Sequence, residues 1–270
     1  MALSPNTENF TLGKGVVYFN RKNLTTNAYE GERDLGNAPA FSYTMSLEKL
    51  EHYSSRGGLK AKDKEIISQV TPTIAFTLDE VTAENLALLT LANITTVAQA
   101  AATVTTEEHV AHHGRRVALL NRAVSEVVVT NVTTSANTPV VDVDYAVDTS
   151  LKDDAIGRVY IIPGSTQISE GDTINVAYTA DEVDYQKIGA FGQTQVEGFL
   201  RFVSDNPAGD DQELQIWRVS LSPTGDTAMI GDDWSTLGFT GEVLKDATGH
   251  PDSPYFDIIF GSTAPTPVTP

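Results

Sequence analysis

The chain has 270 residues, no cysteine and 40% hydrophobic residues, enough to bury a core, so wholesale disorder is excluded. Without cysteine there are no disulfide staples, thiolate metal sites or cysteine nucleophiles. Its 18 basic and 36 acidic residues leave a net charge of −18, concentrated in residues 141–270, where 6 basic groups face 22 acidic ones; a field of that sign opposes tight nucleic-acid binding.

The opening MALSPNTENF has neither a basic nor an apolar leader region, and no apolar run approaches the roughly 18 residues of a membrane span. The expectation is a soluble protein made in the cytoplasm, without membrane contact. Gly15–Asn20 (GVVYFN) reads as the first strand, and a polar loop through Asn23, Asn27 and Gly31 follows. In the next strand Phe41, Tyr43, Met45 and Leu47 alternate with Ser42, Thr44, Ser46 and Glu48, the period of a sheet with one dry and one wet face. Strands near 38–47 and 66–77 flank a charged, glycine-containing stretch, His52–Lys64, that reads as a long functional loop. Pro72 removes a ladder donor, so an edge, a bulge or a strand break belongs there.

Thr77 and Glu80 form a capping box for a principal helix over about 78–91, with Asp79 complementing its positive end and Val81, Leu86, Leu88 and Leu89 supplying the apolar face. Residues 94–106, rich in Ala and Thr, fit strand or helix. From Val110 the chain turns to short β-branched runs at 125–132, 140–147, 156–162 and 173–179, a compact β unit. VEGFLRFVSD, NPAGDD and QELQIWRVSLSP make a hairpin, strands at 236–246 and 255–260 follow, and the Pro- and Thr-rich end is extended or disordered.

Candidate chemistry is sparse. His109, His112 and His113 lie near Glu107 and Glu108, but on a strand His112 and His113 point to opposite faces, so a surface strand edge outweighs a metal site. His52 and His250 read as solvated, and the paired carboxylates Asp153–Asp154, Asp210–Asp211 and Asp232–Asp233 as turn and solubility elements. There is no Walker loop, GxSxG or GxGxxG, so neither catalysis nor a cofactor or metal is expected. Arg56, Gly57, Gly58, Lys60, Lys62 and Lys64 make the long loop locally basic, suited to docking on the acidic half of a neighbouring copy.

LGNAPAFSYTMSLEKLEHYSSRGGLKAKD with TLDEVTAENLALL, the block VSEVVVTNV…GRVYIIPGSTQISEGDTINVAYTA, and FLRFVSDNPAGDDQELQIWRVSLSPTGDTAMIGDDWSTLGFTGEVLKD resemble major tail tube proteins of phages with long, non-contractile tails. The resemblance covers most of the chain. It implies a mainly β fold, a tail-tube-type β-sandwich or barrel with one helix, whose copies form stacked six-fold rings around a DNA channel. Residues 1–106 would be the N-terminal part with the stacking loop (about 50–65) and helix; 186–260 would complete the tube fold; 261–270 would be a flexible tail. Residues 107–185 either form a separate, outward-facing subdomain or thread back into the sandwich. Implied partners are the chain itself, a tape measure protein, a tail terminator and distal tail proteins, with DNA passing unbound, in a virion tail assembled in the host cytoplasm.

On that reading the inner sheet comprises strands near 39–48, 66–77, 195–205 and 213–222. Ser42, Thr44, Ser46, Gln195, Glu197, Glu213 and Gln215 line the channel, while Phe41, Tyr43, Met45, Leu200, Phe202, Leu214 and Ile216 form the dry face. The basic loop makes the contact between rings. The rival reading is a β-sandwich adhesin or receptor-binding module with a discrete aromatic patch, for which Trp217 and Trp234 are candidates, although core packing accounts for both.

Overall fold

The computed structural model describes residues 10–135, 138–148 and 156–261 and is mainly β, with several antiparallel sheets and one short helix. The elements are β1 (Gly15–Lys22), β2 (Tyr29–Asp34), β3 (Ala40–Ser54), β4 (Ala61–Leu78), α1 (Ala83–Leu89), β5 (Asn93–Gln99), β6 (Ala102–Val110), β7 (Arg116–Arg122) and β8 (Val124–Asn131). They continue with β9 (Tyr145–Val147), β10 (Ile156–Ile161), β11 (Thr173–Ala180), β12 (Val183–Gly189), β13 (Val196–Ser204), β14 (Gln212–Pro223), β15 (Leu237–Val243) and β16 (Phe256–Phe260). Asp153, Asp154 and residues 262–270 of the Pro-rich end lie outside the described residues.

Two compact units emerge, one from the chain up to Ile94 together with the chain from Ile188, the other Thr95–Lys187. The sequence pattern drew the central segment at 107–185; the boundaries fall at 95 and 187 because the ambiguous 94–106 stretch is strand, β5 and β6. In the central unit two three-stranded sheets, β6-β11-β8 and β7-β10-β9, enclose Leu119, Val129, Val159, Ile161, Ile174 and Val176. Strict alternation in β10 and β11 carries this core, since every second residue is buried. Strands β5 and β12 pair with each other.

The other unit is one eight-stranded sheet in the order β2-β1-β13-β14-β15-β4-β3, with β16 pairing the first half of β14. The four strands assigned to an inner sheet are therefore not contiguous, because β15 stands between β14 and β4. Its strand was legible in sequence; its partners, far apart along the chain, were not. One face carries the core, where Phe41, Phe76 and Phe239 oppose one another across three strands and Phe76 stacks on Phe239 at 5.0 Å. Leu86, Leu88 and Leu89 of α1 pack on that core.

Helix α1 is shorter than 78–91 and begins elsewhere. Thr82 is its N-cap, its hydroxyl accepting from the Asn85 backbone N–H at 3.1 Å. Thr77 belongs to β4, whose ladder with β15 runs to Leu78, and Glu80 turns back to accept from the Asn37 backbone N–H at 3.2 Å. The ladder to β15 claims Thr77 and the turn at Asn37 claims Glu80, so neither is left to cap the helix.

The stretch His52–Lys64 is not a long loop. Strands β3 and β4 pair from Ala40–Thr77 out to Ser54–Ala61, with bulges near Glu48 and His52, leaving only residues 55–60 as a tip. The β15 ladder ends at Thr73, one residue short of Pro72, so Pro72 marks where β4 loses its second neighbour. Beyond it the hairpin is an arm of about 30 Å at the usual strand rise.

Candidate functional site: a polar sheet face and a hairpin arm

Following register across the sheet gives Thr44–Thr73–Glu242–Ser220–Glu197–Lys22 as one transverse row of directly opposed residues. Ser42, Thr44 and Ser46 of β3, Glu197 of β13 and Glu213 and Gln215 of β14 all fall on this face. Phe41, Tyr43, Met45, Leu200, Phe202, Leu214 and Ile216 fall on the other. Gln195 precedes β13, and its side-chain amide donates to Glu197 at 2.7 Å.

The polar face has two regions. In the rows of Ser42, Thr44 and Ser46 it presents Ser, Thr, Ala and Glu242 over β3, β4, β15 and the end of β14; cations stand at its margins, with Arg218 on Glu197, Lys22 at the far end of the Thr44 row and Lys64 opposite His52 on the arm. Over β13 and the start of β14 it is covered, which corrects the expectation for two carboxylates. Glu197 is only 4% exposed, because Arg218 grips its carboxylate at 2.8–2.9 Å and desolvates it. Glu213 is largely buried, with Arg201 and Gln215 as partners.

The excursion 244–255 lies over this covered region. His250 stacks on Trp217 with ring centroids 3.6 Å apart, and the Trp217 indole N–H donates to the Ser253 carbonyl at 2.7 Å. His250 is thus a stacked residue rather than a solvated one, while His52 pairs with Asp63 in the open. Tyr29, Phe199, Trp217, Asp246 and His250 line a cavity of about 330 Å³. The Gly249 backbone N–H, helped by His250, holds the Asp246 carboxyl below its usual range, and burial followed by Asp246 pushes the Tyr29 phenol up.

On the arm, Arg56, Gly57, Gly58 and Lys60 occupy the tip, whereas Lys62 and Lys64 are strand residues of β4. Lys62 is not a free cation: Glu51 and Glu65 stand directly opposite each other, and its ammonium bridges both. Those hydrogen bonds, Glu51 first, raise its pKa. Arg56, Lys60 and Lys64 have no carboxylate partner among the described residues. Tyr43, Met45 and Leu47, expected in a dry face, stay about half exposed: Tyr43 meets Phe256 at 5.8 Å between ring centroids, while Met45 and Leu47 stand at the edge of the core where the arm begins. Past the bulge the register places Ile67 on that same face and Leu50 and Ile66 on the opposite one, all exposed.

In the central unit β6 ends at Val110, so His112 and His113 are not alternating strand residues. Both engage one turn: His112 Nδ1 lies 2.7 Å from Glu170, and His113 Nε2 lies 2.7 Å from the Ile168 carbonyl. His109 pairs with buried Glu107, which also accepts from the Tyr178 hydroxyl and the Leu120 N–H. In the sequence Glu107 stands only as a neighbour of the histidines; its role as a buried hub comes from Tyr178 and Leu120 arriving beside it from β11 and β7. No three His, Asp or Glu side chains converge in a metal-holding geometry, and no helix could cross a membrane, among the described residues. Trp234, expected in a core, is 94% exposed.

No curated protein matches the chain. A family described as "Protein of unknown function UCP028589" matches residues 10–259, nearly the whole chain, and the chain belongs to that family.

Proposed function

We propose that the protein is a structural virion component, the major tail tube subunit of a long-tailed phage, whose copies assemble into stacked rings around a channel for DNA. The observation that carries this reading is the unfinished sheet: it ends in β3, a fifteen-residue strand with one unpaired edge and both flanks of its outer half exposed. Among the described residues nothing pairs with that edge, and such an edge must be covered or shared; sharing it among identical copies gives a closed ring or a filament. The open polar face supports the bore, since the Ser42, Thr44 and Ser46 rows over β3, β4 and β15 carry hydroxyls, Ala75 and Glu242, and cations stand only at its margins, so phosphates meet little counter-charge along it. On this reading Ser42, Thr44 and Ser46 line the channel directly, Glu213 and Gln215 border it, and Gln195 and Glu197 stiffen its wall. The arm makes the contact between rings. A tape measure protein, a terminator and distal tail proteins would be its other partners, in a tail assembled in the host cytoplasm.

One observation favours a second reading, a receptor-binding module: the aromatic cavity of Tyr29, Phe199, Trp217 and His250. Negative-stain microscopy of concentrated protein separates the two. Hollow rods are expected; discrete closed particles at every concentration would refute the tube.

A further inference from the structure

We propose that the β14–β15 loop, residues 224–236, is the docking site for the hairpin tip of a second copy of this chain. The proposal deepens the tube reading and rests on it only for the polymer that repeated docking would build. On the loop, Met229, Ile230 and Trp234 are 86%, 97% and 94% exposed, an apolar cluster that folding leaves in water. The cluster is presented by a fixed base, because Thr224 N–H donates to the Gly238 carbonyl at 3.0 Å, Ser235 Oγ donates to the Ala228 carbonyl at 2.8 Å, and Leu237 is fully buried. The same loop carries Asp226, Asp232 and Asp233 beside them in sequence, without a cationic partner among the described residues.

The arm carries the complementary set. Leu59 is 85% exposed at the tip, Leu50 and Tyr53 are exposed behind it, and Arg56, Lys60 and Lys64 are the unpaired cations. Acid-rimmed apolar loop and base-rimmed apolar tip match in both charge and hydrophobicity; the charges set approach and register, and burial of the apolar groups holds the contact. Both elements are exposed in one chain, so neither covers the other, and the match is made between molecules. Because tip and loop are different patches, the contact is head-to-tail and leaves a free tip and a free loop at the ends of every chain of copies.

The cysteine-free chain makes the test direct. Leu59→Cys protein is mixed with Ile230→Cys protein of different mass and treated with a short bis-maleimide. The expected product is the mixed 59–230 pair. Adding Asp232→Lys and Asp233→Lys to the loop partner lowers its yield roughly tenfold, and adding Arg56→Glu, Lys60→Glu and Lys64→Glu to the tip partner restores it. No cross-link, like-with-like links only, or a yield indifferent to the charge reversals overturns the proposal. Rods without the mixed link refute this docking and leave the tube standing; the mixed link in protein that never forms rods supports the docking and refutes the tube.

Discussion

Single residues set the tolerances of the sheet. Gly241 lies in β15 on the core face, and a Cβ there would meet Val219 Cγ2 at 2.7 Å and Ile74 Cγ1 at 2.9 Å. Gly241→Ala is therefore expected to destabilise the protein by about 1–3 kcal/mol through overpacking, read as a lower midpoint in urea. Gly58 is different: a Cβ there meets nothing within 4 Å, so Gly58→Ala leaves stability unchanged in the same measurement. The tip glycines, conspicuous in sequence, are not demanded by the backbone. Glu197 makes the converse point, because alternation gives its face but not the guanidinium of Arg218 that closes over it.

The arm is the element whose behaviour follows from its charges. Glu51 opposite Glu65 is a like-charge cross-strand pair, which Lys62 bridges. Lys49 first, then Lys62, holds the Glu65 carboxyl down to about 2, and Glu51 is lowered mainly by Lys62. A depressed carboxylate favours the paired arm above its ordinary pKa of 4.5, and that contribution is lost as pH falls toward 2. NMR shifts of the arm amides are accordingly expected to stay constant from neutral pH to about 4.5 and to move between there and about 2. In Lys62→Ala the onset moves upward in pH; an unchanged profile would show that the bridge contributes nothing to pairing. The His52–Lys64 segment also shows why a sequence misjudges such a hairpin: charged side chains on both faces of a two-stranded ribbon abolish the alternation that identifies a half-buried strand. Helix α1 failed similarly, because Thr77 and Glu80 fit a capping pattern that pairing of Thr77 with β3 and β15 and the Asn37 contact of Glu80 forbid.

At the scale of the molecule, each of the two compact units has its own buried cluster. Thr95–Lys187 expressed alone is expected to unfold in one cooperative transition, checked by coincident circular dichroism and Tyr fluorescence. Glu107→Ala in that fragment leaves the Tyr178 hydroxyl without its buried carboxylate and the Leu120 N–H unpaired, and is expected to cost about 2 kcal/mol.

The amino-acid sequence by itself determined the strongly alternating strands, β1, the inner halves of β3 and β4, β10, β11 and the β13–β14 hairpin, and the segregation of Ser42, Thr44 and Ser46 from Phe41, Tyr43 and Met45, because these depend on period-two alternation along a local stretch; β2, β7, β12 and the paired arm were not legible in it. Only the tertiary structure decided that β15 sits between β14 and β4, that Glu197 is sealed by Arg218, that the basic stretch is a paired arm, and that Trp234 stands in water. Each of those outcomes depends on which distant strand or side chain arrives beside a residue, and that competition for neighbours is settled when the whole sheet forms.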